Sequence, residues 1–127
     1  MKMENNQERR KFRRAIFTLE DNVVGLFSLA RKPGKIINGY ILNLSMGGIY
    51  FTIDAIKTII PVMGDKIVLM QIKAPQSLSF LMNIDADVKW IFNPPTLKFS
   101  GIGCEFVNIP ELSRKQLGDF VDRWQEK

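Results

Sequence analysis

Histidine is absent from the 127 residues, and cysteine occurs once, at Cys104. The first absence removes the usual acid–base group of neutral pH and the commonest metal ligand. A single thiol excludes an internal disulfide framework and a thiolate zinc site, and it fits a reducing cytosol. No apolar run approaches the ~18 residues that span a bilayer. The charged N-terminus is not followed by the apolar segment of a secretory signal. There is no Walker A sequence and no dinucleotide-binding glycine fingerprint. Asp85 and Asp87 fall on a polar row and read as solvated side chains rather than a catalytic carboxylate pair. The expectation is a cytoplasmic protein that is not an enzyme, with no catalytic residue, no metal site and no cofactor.

What is present suits binding. A composition of 46% hydrophobic and 24% charged residues supports one globular domain with a real core. The net charge of +5 is unevenly placed. Residues 1–14 hold six basic and two acidic groups, whereas the remainder holds 12 and 11. A general nucleic-acid binder spreads its charge along a face that follows the phosphates. A charge confined to one short stretch suits a small, compact anion. That stretch is Glu8-Arg9-Arg10-Lys11-Phe12-Arg13-Arg14, which alone reads as a basic tail rather than an anion-binding arm.

Alternation and turn residues divide the rest of the chain. Residues 15–20 and 22–30 read as strands broken at Asp21-Asn22, with a basic Pro-Gly turn after them. Residues 36–44, 48–53 and 66–73 are three further strands. In the connection between the last two, Ile56, Ile59 and Ile60 can build a helical turn that plugs a barrel end. Residues 74–77 form a turn. From Leu78 to Phe92, alternate residues Leu78, Phe80, Met82, Ile84, Ala86, Val88, Trp90 and Phe92 make one long apolar row. Residues 97–107 return antiparallel, with Gly101 and Gly103 leaving little side chain on the row opposite Ile102, Cys104 and Phe106. Asn108 and Glu111 have capping-box spacing before a helix whose apolar stripe is Leu112, Leu117, Phe120, Val121 and Trp124.

Asn43-Leu44-Ser45-Met46-Gly47-Gly48 sits between two of the strands and by itself reads as a strand-end turn. Taken together, Arg10-x-x-x-Arg14 and Asn43-x-Ser45-x-x-Gly48 resemble the paired signature of PilZ domains, bacterial receptors for cyclic di-GMP. The resemblance runs from Glu8 through Val88-Lys89-Trp90 and Gly101-Ile102-Gly103-Cys104-Glu105-Phe106 into the helix. It implies a mainly β fold, a six-stranded antiparallel β-barrel with a C-terminal α-helix. The parts would be a mobile tail over 1–8, an arm over 9–14, a barrel over 15–107 and a helix over 109–125.

The same resemblance implies that Arg9, Arg10, Arg14, Asn43, Ser45 and Gly48 contact cyclic di-GMP. An arginine fork can bond a phosphate bidentately, pair with guanine or lie flat on a purine, and Arg13 can share that work. Asn43 can meet the N–H edge of guanine, and Ser45 can bond a base or phosphate. Gly48 would allow close backbone approach or a positive φ, and Gly47 likewise. Trp90 has two readings: its apolar row makes burial the default, while a tryptophan near a strand end can stack on a base. It is counted among the ligand-binding candidates. Cys104 reads as a buried small hydrophobe.

The function expected is reception of cyclic di-GMP, with the ligand ordering the arm and so signalling to a downstream effector protein. Neither nucleic-acid binding nor membrane insertion is expected. The alternatives are a small β-barrel that binds single-stranded nucleic acid, and a PilZ-like adaptor that binds no nucleotide.

Overall fold

A computed structural model describes residues 12–55, 59–75 and 78–125. The expected mobile tail, Arg9, Arg10, Ile56 and the Gln76-Ser77 half of one turn lie outside the described residues. Among the described residues, seven strands precede one α-helix: β1 (Ala15–Ile16), β2 (Val24–Leu29), β3 (Ile36–Leu44), β4 (Gly48–Asp54), β5 (Lys66–Lys73), β6 (Ile84–Phe92), β7 (Phe99–Val107) and α1 (Glu111–Gln125). The strands pair in the order β3-β2-β5-β6-β7-β4, and β4 returns to β3, so six antiparallel strands close a barrel. The seventh, β1, pairs with the end of β3 through Ala15–Leu44 and Ile16–Asn43.

Alternation builds the core as the sequence suggests. Phe27 and Leu29 of β2, Ile37 and Ile41 of β3, and Phe51 and Ile53 of β4 all point inward and are buried. Phe27 and Phe51 stack with ring centroids 3.9 Å apart. A Cβ on Gly39 would lie 2.6 Å from the Phe51 ring, so the missing side chain there makes room for the stack. Ser100, fully buried on the inward row of β7, donates its hydroxyl hydrogen to the Asn93 side-chain oxygen at 2.7 Å.

Five local expectations change. The first predicted strand stops at Ile16, because the Asp21 carboxylate accepts the Thr18 N–H at 2.7 Å and winds Leu19–Asp21 into a 3-10 turn. The long strand expected from Leu78 begins only at Ile84. Leu78 and Leu81 instead bury across a tight turn closed by the Leu81 N–H to the Leu78 carbonyl, and Asn83 takes a left-handed φ of 56°. Asn108 also adopts φ 59°, and the first helical hydrogen bond runs from the Arg114 N–H to the Pro110 carbonyl. The helix therefore starts at Glu111, without the predicted capping box. Finally, Leu112 is exposed, while Leu117, Phe120 and Val121 are buried. Ile59 and Ile60 pack against the core but are not helical.

Helix α1 is tied to the start of the chain. Trp124 donates its indole N–H to the Ile16 carbonyl at 3.0 Å and meets Phe17 edge-on, with ring centroids 4.9 Å apart. Among the described residues, no helix is long and apolar enough to cross a membrane.

A second tie joins the loop before β5 to the β2–β3 turn. Buried Asp65 accepts from Arg31 Nε and from the Val62 N–H, both at 2.8 Å, and Arg31 also donates to the Ile60 carbonyl at 3.2 Å. Burial pushes the Asp65 carboxyl up, but the bonds from Arg31 and Val62 outweigh it and hold Asp65 below the ordinary carboxylate range. Asp65→Ala is expected to lower stability by roughly 1–3 kcal/mol, measured by urea unfolding at neutral pH. The folded pKa lies below the unfolded value of about 3.9, so the contribution is full above the unfolded value. It is lost as the pH falls through the folded one, and the gap between wild type and variant should close over that acid range.

Candidate functional site

Two β-bulges determine which side chains reach the outer wall of the barrel. In β3 the register against β4 shifts between Ile41 and Asn43. Without that extra residue Asn43 would follow Ile41 into the core; with it, Leu44 is buried and Asn43 turns outward. In β6 the register against β7 shifts between Val88 and Trp90. Val88 remains in the core and Trp90 moves to the surface, 49% exposed. The default reading of Trp90 as a core residue is thus overturned: the bulge flips the row that simple alternation extends.

Trp90 and Tyr50 then stack, with ring centroids 4.9 Å apart and planes within 18°. The floor beneath them is the glycine row of β7. Any Cβ on Gly103 would collide with the Trp90 indole, and any Cβ on Gly101 with the Tyr50 hydroxyl. Both glycines are needed for the rings to lie flat on the strand. Burial pushes the Tyr50 phenol above its ordinary pKa, so it stays protonated at neutral pH.

The turn between β3 and β4 forms the neighbouring wall. The Ser45 N–H donates to the Gly48 carbonyl at 3.0 Å, and the Ser45 hydroxyl accepts the Gly47 N–H at 3.1 Å. The Gly47 carbonyl accepts the Phe106 N–H of β7 at 2.9 Å. The turn is therefore held by its own polar groups, and the Ser45 hydroxyl keeps its hydrogen for donation. Neither Gly47 nor Gly48 has a positive φ. Gly48 does permit a close approach, but to β7 itself, since a Cβ there would collide with the Cys104 carbonyl.

These walls enclose a pocket of about 510 Å³. Arg14, Asn43, Ser45, Gly48 and Trp90 all line it, so every predicted site residue within the described chain is brought together. Arg9 and Arg10 lie outside the described residues. Arg13 is directed elsewhere, to an ion pair with Asp122 of α1 at 3.2 Å. Five lining residues were not singled out in the sequence: Phe12, Ile49, Tyr50, Lys89 and Glu105. Gly101 and Gly103 carried a signal for Tyr50, because a glycine row opposite a strand invites a flat aromatic ring. Lys89 and Glu105 pair with each other at 3.6 Å, both more than half exposed. Cys104 also borders the pocket, but its thiol is buried and pushed up to about 12, first by burial and then by the charge of Asp87. It is a small hydrophobe, as expected. Asp87 itself, only partly exposed, pairs with Lys66 at 2.9 Å.

Fold and site together define a β-barrel domain with a polar and aromatic pocket on its outer wall, reached by Arg14 of the N-terminal segment. The sequence matches the family model of the PilZ domain over residues 8–123, and the chain belongs to that family. No curated protein matches it in sequence. Solved structures similar to it include the inhibitor of motility MotI/DgrA of Bacillus subtilis, at 21% identity and TM-score 0.64. That match covers 93% of this chain and 51% of the other. The PilZ domain of Escherichia coli YcgR, solved with c-di-GMP, is 16% identical with TM-score 0.65, over 93% of this chain and 92% of that one. The c-di-GMP complex of K. pneumonia MrkH is 15% identical with TM-score 0.59, over 93% and 55%. The chain thus spans about half the length of MotI/DgrA and MrkH. At these identities the likeness is one of fold.

Gly48→Ala is expected to destabilise the barrel by about 1–3 kcal/mol, because its Cβ would press on β7 backbone that cannot give way like a side chain. A lowered thermal midpoint in the absence of any ligand is the check; an unchanged midpoint would mean that β4 and β7 can part without cost.

Proposed function

We propose that this chain is a receptor for cyclic di-GMP. The observation that carries the reading is the convergence of Arg14, Asn43, Ser45, Gly48 and Trp90 on one pocket from three separate parts of the chain. Family membership supports it, as do the c-di-GMP complexes among the structural neighbours. The pocket volume falls within the range of about 300–1,000 Å³ common for small-molecule sites.

Each residue has a role that its chemistry allows. The Arg14 fork bonds a phosphate in two places or pairs with a guanine. Asn43 offers its amide oxygen to the N–H edge of the base, and Ser45 donates its hydroxyl hydrogen. The half-exposed indole of Trp90, braced from behind by Tyr50, stacks on a purine. Gly48 contributes by holding the turn tight against β7. Arg9 and Arg10 supply the remaining positive charge and close over the ligand, and the ordered arm presents a new surface to an effector protein.

Calorimetric titration with cyclic di-GMP tests this, with GMP and a short single-stranded RNA as controls. Cyclic di-GMP should bind and the controls should bind far more weakly; equal affinity for a mixed-sequence RNA at the same salt would support a nucleic-acid barrel instead. Arg14→Lys keeps the charge and loses the fork, and should weaken binding at least tenfold, about 1.4 kcal/mol. Glu105 places a carboxylate in the wall of an anion site and occupies Lys89. Glu105→Gln should therefore tighten binding by roughly two- to fivefold at low salt, with the gain shrinking as ionic strength rises. Calorimetry of that variant at two salt concentrations reads both effects.

A further inference from the structure

Helix α1 carries two stripes, and only one belongs to the core. Leu117, Phe120, Val121 and Trp124 face the barrel and Phe17. Arg114, Gly118 and Asp122 form the second stripe, spaced four residues apart and so aligned along one side of the helix. Each meets the N-terminal arm or the β3–β4 turn at a different point. The Arg114 guanidinium lies over the Phe12 ring, 5.4 Å from its centroid. At Gly118 the missing side chain admits Met46 of the β3–β4 turn, whose sulfur lies 2.9 Å from where a Cβ would stand. Asp122 pairs with Arg13. The Phe12 ring in turn rests on Gly47, where a Cβ would lie only 2.6 Å from it.

We propose that this stripe is a clamp with Phe12 as its positioning residue: the ring, seated on Gly47 and covered by Arg114, holds Arg14 at the pocket before any ligand arrives. Phe12 stands two residues before Arg14, and both line the pocket. Fixing the ring and pairing Arg13 with Asp122 sets the direction of the backbone that leads into Arg14. Residues 12–14 are then the docked end of the arm. Ordering the docked end in advance removes part of the entropy cost of capturing a ligand. The consequence for affinity rests on the cyclic di-GMP reading, whereas the clamp itself does not.

Two measurements on the full chain separate the two claims. Without ligand, limited trypsin digestion with mass spectrometry reads the rate of cleavage after Arg13 and Arg14, which requires local opening. With cyclic di-GMP, calorimetry reads affinity. Phe12→Ala should speed that cleavage severalfold and weaken binding about tenfold, with Phe12→Tyr retaining both properties. Gly47→Ala should do the same in the wild-type background and add little in Phe12→Ala, because both act on one contact. Arg114→Gln, a change on exposed helix surface, provides the same cleavage test should Phe12→Ala fold poorly. Unchanged cleavage in Phe12→Ala and Arg114→Gln, or fully additive effects of Phe12→Ala and Gly47→Ala, overturns the clamp. If wild type binds no cyclic di-GMP, the receptor reading fails while the cleavage rates still decide the clamp. If wild type binds and Phe12→Ala matches it in both measurements, the clamp alone fails.

Discussion

Closure of the barrel is the constraint on which the rest of the structure depends. Once β4 returns to β3, the six strands have no open edge, and each can offer a ligand only its outward row. Strict alternation would send Asn43 and Trp90 inward, behind Ile41 and Val88. The bulges in β3 and β6 release them locally without opening the ring. The pocket is therefore made from interruptions in an otherwise regular wall, roofed by aromatic rings where β7 has no side chains of its own.

The turn between β3 and β4 makes that wall dependable. It is pinned by hydrogen bonds within itself and to β7, and Met46 and Gly47 connect it to the helix and to the arm. Residues far apart in sequence thus share a few contacts: Phe12 with Gly47, Met46 with Gly118, Arg13 with Asp122. Changes at any of them are expected to be felt together rather than independently. Lys89 and Glu105 contribute differently. They are exposed and mutually paired, and they set the local potential rather than the shape.

Much of this was legible in the sequence, for identifiable reasons. The strands at 36–44 and 66–73 were readable to the residue because β-rich runs there are bounded by turn residues. The convergence of Arg14, Asn43, Ser45 and Gly48 followed from the resemblance to PilZ domains rather than from periodicity. What could not be read was mostly a matter of bulges and left-handed turns. A period-two count has no way to register the extra residue before Trp90, nor the positive φ at Asn83 that shortens the strand expected from Leu78. Gly48 shows a related difficulty: glycine signals that something comes close, and only the folded chain reveals that the neighbour is the Cys104 carbonyl. Phe12 gave no signal of its own, because its partners lie on a turn and a helix remote in sequence.

The burial of Cys104 has a practical consequence. With its thiol almost fully enclosed and pushed up to about 12, it offers maleimides and similar reagents hardly any thiolate at neutral pH. As the chain's single cysteine, it leaves the wild-type protein chemically silent toward such labels. A cysteine introduced at an exposed helix position such as Leu112 would then be the one reactive thiol. A fluorophore or spin label placed there would report on the helix without removal of the native residue.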